Sequence, residues 1–431
     1  MTRLPAFWAA LVLLAATPVW AQGAGLARIA AADPVLKIAL DLIRIPSPSG
    51  HEEKIAGFIL ERLRALGAEA RRDEYGNVVA RLPATPGFEN VPPLLLAAHM
   101  DMVPGDKKNP LKPIRPRVVS IEGKEWIAGD GTTTLGGDDK AGVAAIIDTI
   151  ARLTGKRGGR PVVHGPIEAV ITREEETTVR GAVRLDTSKL RARHALLLDG
   201  ERLFEVVWEL AGATEVIVRA RGARGGHSGV DIHRPDNINA IKVISEIDAR
   251  IPQGVVERNA RGIVTSINAG LAEGGTAKNA IASEAQIAYF VRTTDPASEK
   301  KLIDEIGRIA AGAEKKYRLL QDEFRVEVEV KPLLPPWAAR TGSPLLALVQ
   351  LAGERLGEKN ILPLSIHAGA EANIYANKKN ARGRTLEPLL LGVANLHAIH
   401  STRERMDWRS LIRGRDWVVE IVRLLAERGR L

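Results

Sequence analysis

The 431-residue chain has no cysteine, which excludes any disulfide, any thiolate metal ligand and any lipid anchored through a thiol. Aromatic residues are scarce at 4%, leaving few platforms on which single-stranded bases could stack. Basic residues outnumber acidic ones, 61 to 52, but the two are interleaved. That describes a generic basic surface able to steer anionic substrates, not a nucleic-acid interface. Long apolar runs are also missing. The N-terminal stretch from Phe7 to Ala16 falls short of the ~20 residues a membrane span needs, so no membrane anchor is expected. With Arg3 before it and the small residues Val19 and Ala21 after it, it reads instead as a secretory leader, residues 1–21, cut after Ala21. A secreted, periplasmic chain without disulfides must then rely on its core or on bound metal.

What is present is a rhythm of helix and strand. Residues 34–43 and 52–66 carry apolar side chains at helical spacing, as do residues 141–153. Residues 94–98, 167–171, 195–198 and 389–391 are short, continuous apolar runs, the pattern of strands covered on both faces in a mostly parallel sheet. Between Val206 and Val330 the order becomes β-α-β-β-α-β, a ferredoxin-like arrangement. The sequence therefore predicts an α/β fold with helices on both sheet faces. A catalytic domain, residues 30–205 and 333–431, is split by an inserted lid, residues 206–332.

In open α/β sheets ligands sit beyond the carboxyl ends of the strands. The first apolar run leads into His99 and Asp101, the second into Glu174, Glu175 and Glu176, the third into Asp199, and the fourth towards His397 and His400. A further segment, TLGGDDKAG, places Asp138 and Asp139 before a helix, where an N-cap and a glycine turn would account for them equally well. Carboxylates and imidazoles gathered at one sheet edge suit a hard or borderline divalent ion: zinc first, manganese or cobalt as alternatives. Two such ions bring four positive charges, against three negative ones from Asp138, Glu176 and Asp199. A bridging hydroxide closes that balance and is a nucleophile.

The motifs AAHMDMVP, TLGGDDKAG, ITREEETTVRGA, LLLDGE, ARGGHSGVDIH, GGTAKNAI, HAGAEAN and HAIHS, in this order, resemble the M20 family of metallopeptidases, nearest its peptidase T-like tripeptidase and aminoacyl-histidine dipeptidase branches. The resemblance implies His99 and Asp199 on one metal, Glu176 and His400 on the other, and Asp138 bridging them, with a cis peptide after Asp138. It implies Glu175 as general base, Asp101 as the residue that fixes the His99 ring, and His227 as a donor to the scissile carbonyl. Asn279 and Arg292 would take a terminal carboxylate, and the insert would be where a homodimer forms. Glu174, His367 and Glu371 receive no firm role, and His51, His164, His194 and His233 read as structural or solvent-facing. The implied function is a secreted two-metal exopeptidase acting on di- or tripeptides. An N-acyl amino acid amidohydrolase of the same architecture, or a peptide-binding relative with an inactive site, are the alternatives.

Overall fold

The computed structural model describes residues 19–429 except residue 341. The leader read over residues 1–21 therefore lies almost wholly outside the described residues, and Val19 opens the first described helix, Val19–Ala32. Among the described residues no helix is long and apolar enough to cross a membrane.

The apolar runs become the centre of a nine-stranded sheet. Ile167–Thr172, Leu94–His99, His194–Gly200 and Glu387–Gly392 lie side by side and parallel. Antiparallel strands flank them: Glu69–Arg72 and Val78–Leu82 on one side, Val206–Leu210 and Trp337–Ala338 on the other. Successive side chains of a strand point to opposite faces, and both faces here are covered. Leu94, Leu96 and Ala98 join the larger core with the helices Pro34–Ile43, Gly137–Leu153 and Trp408–Arg428. Leu95 and Ala97 join a second core with Leu197, Leu390 and Tyr375. Such double burial is what continuous apolar strands require.

The inserted unit begins later than the sequence pattern indicates. Val206–Leu210 pairs with Glu387–Gly392 and Pro363–Ile366, so it belongs to the large sheet, not to the insert that was expected to open at residue 206. The insert runs from Gly212 to Leu334, after which Trp337–Ala338 returns to the large sheet. Its β-α-β-β-α-β order is present, with the strands at Gly262–Gly274, Ala285–Thr293, Gly212–Arg221 and Arg325–Leu334 adjacent in that spatial order. A fifth strand, Gly254–Asn259, extends the edge as a hairpin. The first helix of the insert is Ala240–Asp248, started by the Asn239 side chain, which accepts from the Ile241 N–H. A separate four-stranded antiparallel sheet contains Asn395–His397 and Arg405–Asp407, and the loop between those two strands carries His400.

Candidate active site

Asp138 is the pivot. One carboxylate oxygen lies 3.2 Å from Nε2 of His99, and the other lies 3.2 Å from Nε2 of His400. Each imidazole has a second acidic neighbour: Asp199 is 3.4 Å from His99, and Glu176 is 2.9 Å from His400. Two His–carboxylate pairs thus face each other across one shared carboxylate. Asp139 also comes near His99 and Asp199. However, its oxygens accept from the backbone N–H groups of His99 (3.2 Å) and Gly142 (2.9 Å), and its side chain is turned into the fold. The Asp138–Asp139 peptide is cis.

Each member is held by an element whose sequence explains its position. His99 closes its buried strand, and its Nδ1 lies 3.2 Å from the Asp101 carbonyl and 3.4 Å from the Asp101 carboxylate. Asp101, fully buried, also accepts from the backbone N–H groups of Glu175 and Glu176 at 2.9 and 3.1 Å, and from the Ser49 hydroxyl at 2.7 Å. One carboxylate therefore orients the imidazole and fixes the start of the Glu175–Thr178 turn. Glu174 adopts a left-handed φ of 52° and points elsewhere, accepting from the Tyr75 hydroxyl at 2.7 Å beside Arg173 and Arg180. Glu175 and Glu176 line the cleft instead.

Two further acids join the site in three dimensions. Glu404 is buried and accepts from the backbone N–H groups of Leu135, Gly136, Gly137 and Asp138 at 2.7–3.3 Å, cradling the loop that presents Asp138. A Cβ at Gly137 would press on the side chains of Leu396 at 3.0 Å and Glu404 at 3.2 Å, and Gly136 takes a left-handed φ of 71°, a conformation that favours glycine. Glu371 is buried near Asp199 and Asp101, and its Oε1 has no hydrogen-bond partner. Nothing local in the sequence marks Glu404, whose partners lie more than 260 residues earlier.

The electrostatics are those of an anion cluster. Burial, reinforced by Asp138 and Glu176, pushes Asp199 up to about 7, and burial pushes Glu371 to about 8. Burial likewise pushes Glu175 well above the usual carboxylate range, with Asp199, Glu371 and Glu176 adding to it. Hydrogen bonds to Asp138 and Glu176 raise His400 to about 10. The two imidazoles hold Asp138 well below the usual carboxylate range against its burial. Asp199, Glu175 and Glu371 are driven towards their neutral form and the imidazoles towards their charged form. Acids left over once the imidazoles are paired describe a site short of positive charge. Glu176 Oε1 is buried without a partner, which adds an unspent ligand oxygen. An oxygen-and-imidazole set of this kind fits divalent cations.

The cleft in front of these residues has a volume of about 470 Å³ and is lined also by Arg202, Ile366 and Gly369. His227, Asn279 and Arg292 are not in its lining. His227 is exposed in the insert, paired with Ala280, and its Nδ1 accepts from the N–H groups of Gly229 and Val230 at 3.1 and 3.2 Å, which leaves the proton on Nε2. The Asn279 carbonyl accepts from the Ser228 N–H at 3.0 Å, so these two candidates are neighbours. Arg292 is half-buried over the Phe290 ring at 5.1 Å. It lies close enough to His367 for its charge to help burial depress that imidazole, which contacts the Ser266 hydroxyl at 2.7 Å. His397 packs edge-on against Trp126, outside the cleft.

The pattern that describes peptidase family M20/M25/M40 matches residues 95–424. Peptidase T of Geobacillus kaustophilus is 26% identical over 413 residues, 89% of this chain and 93% of the relative. The cytosol non-specific dipeptidase of Escherichia coli is 33% identical over 223 residues, 46% of this chain and 44% of the relative. The crystal structure of aminopeptidase PepT from Bacillus cereus superposes with a TM-score of 0.77 at 25% identity, covering 91% of this chain and 98% of that one. With the family pattern spanning most of its length, the chain belongs to peptidase family M20/M25/M40 and is a metallopeptidase.

Proposed function

We propose that the protein is a secreted exopeptidase that hydrolyses di- and tripeptides with two divalent cations, zinc first. The observation that carries this is the Asp138 carboxylate set between His99 and His400, each with its own acidic companion. His99 and Asp199 would hold one cation, His400 and Glu176 the other, and Asp138 both. When bound, the cations supply Lewis acidity that polarises the scissile carbonyl and acidifies water. Glu175, in the cleft beside them, takes a proton from the attacking water and returns it to the leaving amine. His227, with its proton on Nε2, donates to the developing oxyanion, and Arg292 with Asn279 receives the peptide's terminal carboxylate. Because these three stand outside the cleft lining, closure of the insert or a second copy of the chain brings them in. A homodimer through the insert would serve that end. Secretion rests on the leader pattern at residues 1–21.

The deciding measurement is turnover of purified protein, loaded with zinc, manganese or cobalt, on di- and tripeptides beside N-acyl amino acids. Metal-dependent release of free amino acids from the peptides supports the proposal. Turnover confined to N-acyl amino acids replaces it with the amidohydrolase reading, and full metal loading with no turnover replaces it with a binding role. N-terminal sequencing of exported protein should begin at Gln22; a chain that stays inside and keeps Met1 would remove the secretion claim.

A further inference from the structure

The metal-facing cleft opens at the carboxyl ends of the central strands, and a second cleft opens at their amino ends. Its volume is about 450 Å³, and Arg191, Arg193, Arg382, Arg384, His194 and Asn380 line it. His194 begins the strand that ends near Asp199, five residue steps away, so the two clefts are roughly 16 Å apart along the sheet. Asn380, only 4% exposed, locks the two arginine-bearing segments together. Its amide donates to the carbonyls of Arg191 and Ala192 at 3.3 and 3.1 Å. Its oxygen accepts from the backbone N–H groups of Arg382 and Arg384 at 3.0 and 3.1 Å.

The charges do not balance locally. Arg193 pairs with Glu387, and Glu168 beneath the cleft is taken by the backbone N–H groups of Arg191 and Ala192 and by Arg81. Among the described residues, Arg191, Arg382 and Arg384 form no ion pair, and the lining's acid, Glu89, forms none with them. His194 is 6% exposed, and its Nδ1 has no hydrogen-bond partner; Glu387 is its nearest acid at 3.4 Å. Nε of Arg193 is buried and unpartnered as well. Burial, helped by Arg193 and Arg384, holds the His194 imidazole below its ordinary pKa against the pull of Glu387. Arg191, Arg382 and Arg384 are exposed and solvated, but they converge on the same cleft as the buried, unpartnered Nε of Arg193, and an anion seated there would meet both. Guanidinium forks match oxyanions two atoms at a time, and one carboxylate offers too few oxygens for three free arginines. The volume suits a small molecule, and Val91, Pro92 and Pro93 give the cleft one apolar wall.

We propose that this cleft is a second binding site, separate from the peptidase centre, for a phosphate-bearing anion of two or more charges. The ligand could be a free phosphate compound or the headgroup of an anionic lipid, and one experiment separates these sources. Pyrophosphate is titrated calorimetrically into the metal-loaded protein, into the Arg382→Ala/Arg384→Ala double variant and into His400→Ala, whose metal centre is disturbed. In parallel, each protein is sedimented with phosphatidylglycerol vesicles and with phosphatidylcholine vesicles. A free ligand is indicated by saturable one-to-one binding that His400→Ala keeps and that the double variant weakens by about tenfold per arginine. Sedimentation with phosphatidylglycerol alone, lost in the double variant, with no pyrophosphate binding, indicates the lipid. The double variant should keep its peptide turnover. The proposal is overturned if neither probe binds, if the double variant binds as the parent does, or if pyrophosphate binding is lost only in His400→Ala.

Discussion

Glu174, Glu175 and Glu176 are chemically identical, adjacent, and placed in three different environments. Glu174 is tied to Tyr75 and two arginines, Glu175 lies half-buried in the cleft lining, and Glu176 meets His400. Their substitutions should therefore separate cleanly. Glu175→Gln should keep both metals and lose roughly 10²–10⁴-fold in kcat, the usual worth of a general base. Glu176→Ala should instead lower metal content, and Glu174→Gln should leave turnover within a few-fold. Metal analysis and steady-state kinetics on the three variants check this; an emptied site in Glu175→Gln would shift the assignment by one residue. His227 makes a different prediction. As an exposed oxyanion donor its replacement by Ala should cost about 10²–10³ in kcat with Tm and metal content unchanged. Early melting with normal turnover per folded molecule would give it a purely structural place in its turn.

At the scale of elements, the loop from Leu135 to Asp138 is shaped by one distant carboxylate. Glu404 gathers four of its N–H groups. Glu404→Gln would turn an amide donor against some of those donors, displacing Asp138 without touching a metal. Metal affinity should fall by about 10–100-fold, the range for residues that support ligands, with the circular dichroism unchanged. Competition with a chelator measures it, and an unaltered affinity would show that the loop holds its shape unaided. In the insert, Arg292 and Asn279 are proposed to read a free carboxyl terminus. C-terminally amidated peptides should then show a much lower kcat/KM than their free acids, and equal rates would take both residues out of recognition.

Across the whole molecule, a buried charge cluster ties the long helices together. Asp33 caps the helix Pro34–Ile43 through the Val35 N–H and pairs with Arg415 of the helix Trp408–Arg428 at 3.0 Å, and with Arg157. Asp148 of the helix Gly137–Leu153 faces the same two arginines. Although burial opposes it, these arginines hold the Asp33 carboxyl far below the usual range. A folded pKa depressed below the unfolded value gives stability that is complete above about pH 4 and is lost as pH falls further. Asp33→Asn keeps an oxygen for the cap but removes the charge. It should cost about 3 kcal/mol near neutral pH, the low end for a broken buried pair because Asp148 remains. The gap between the denaturant midpoints of parent and variant should narrow steadily as pH falls below about 4. A gap that stays constant with pH would mean that the cost is packing and not charge.

Local pattern was enough to read the central strands, the helix Pro34–Ile43 and the acids and imidazoles that follow the strands. Apolar periodicity and strand-end chemistry are short-range properties, recorded within a few residues of each other. The start of the insert is not legible locally because Val206–Leu210 is an ordinary apolar strand, and only its pairing partners, Glu387–Gly392 and Pro363–Ile366, assign it to the large sheet. Glu404, the burial of Glu371, the turning away of Glu174 and the arginine cleft were likewise decided by the tertiary structure. Each depends on groups 90 or more residues apart meeting in space, and hydrogen bonding, burial and charge balance act on distance in space rather than separation along the chain.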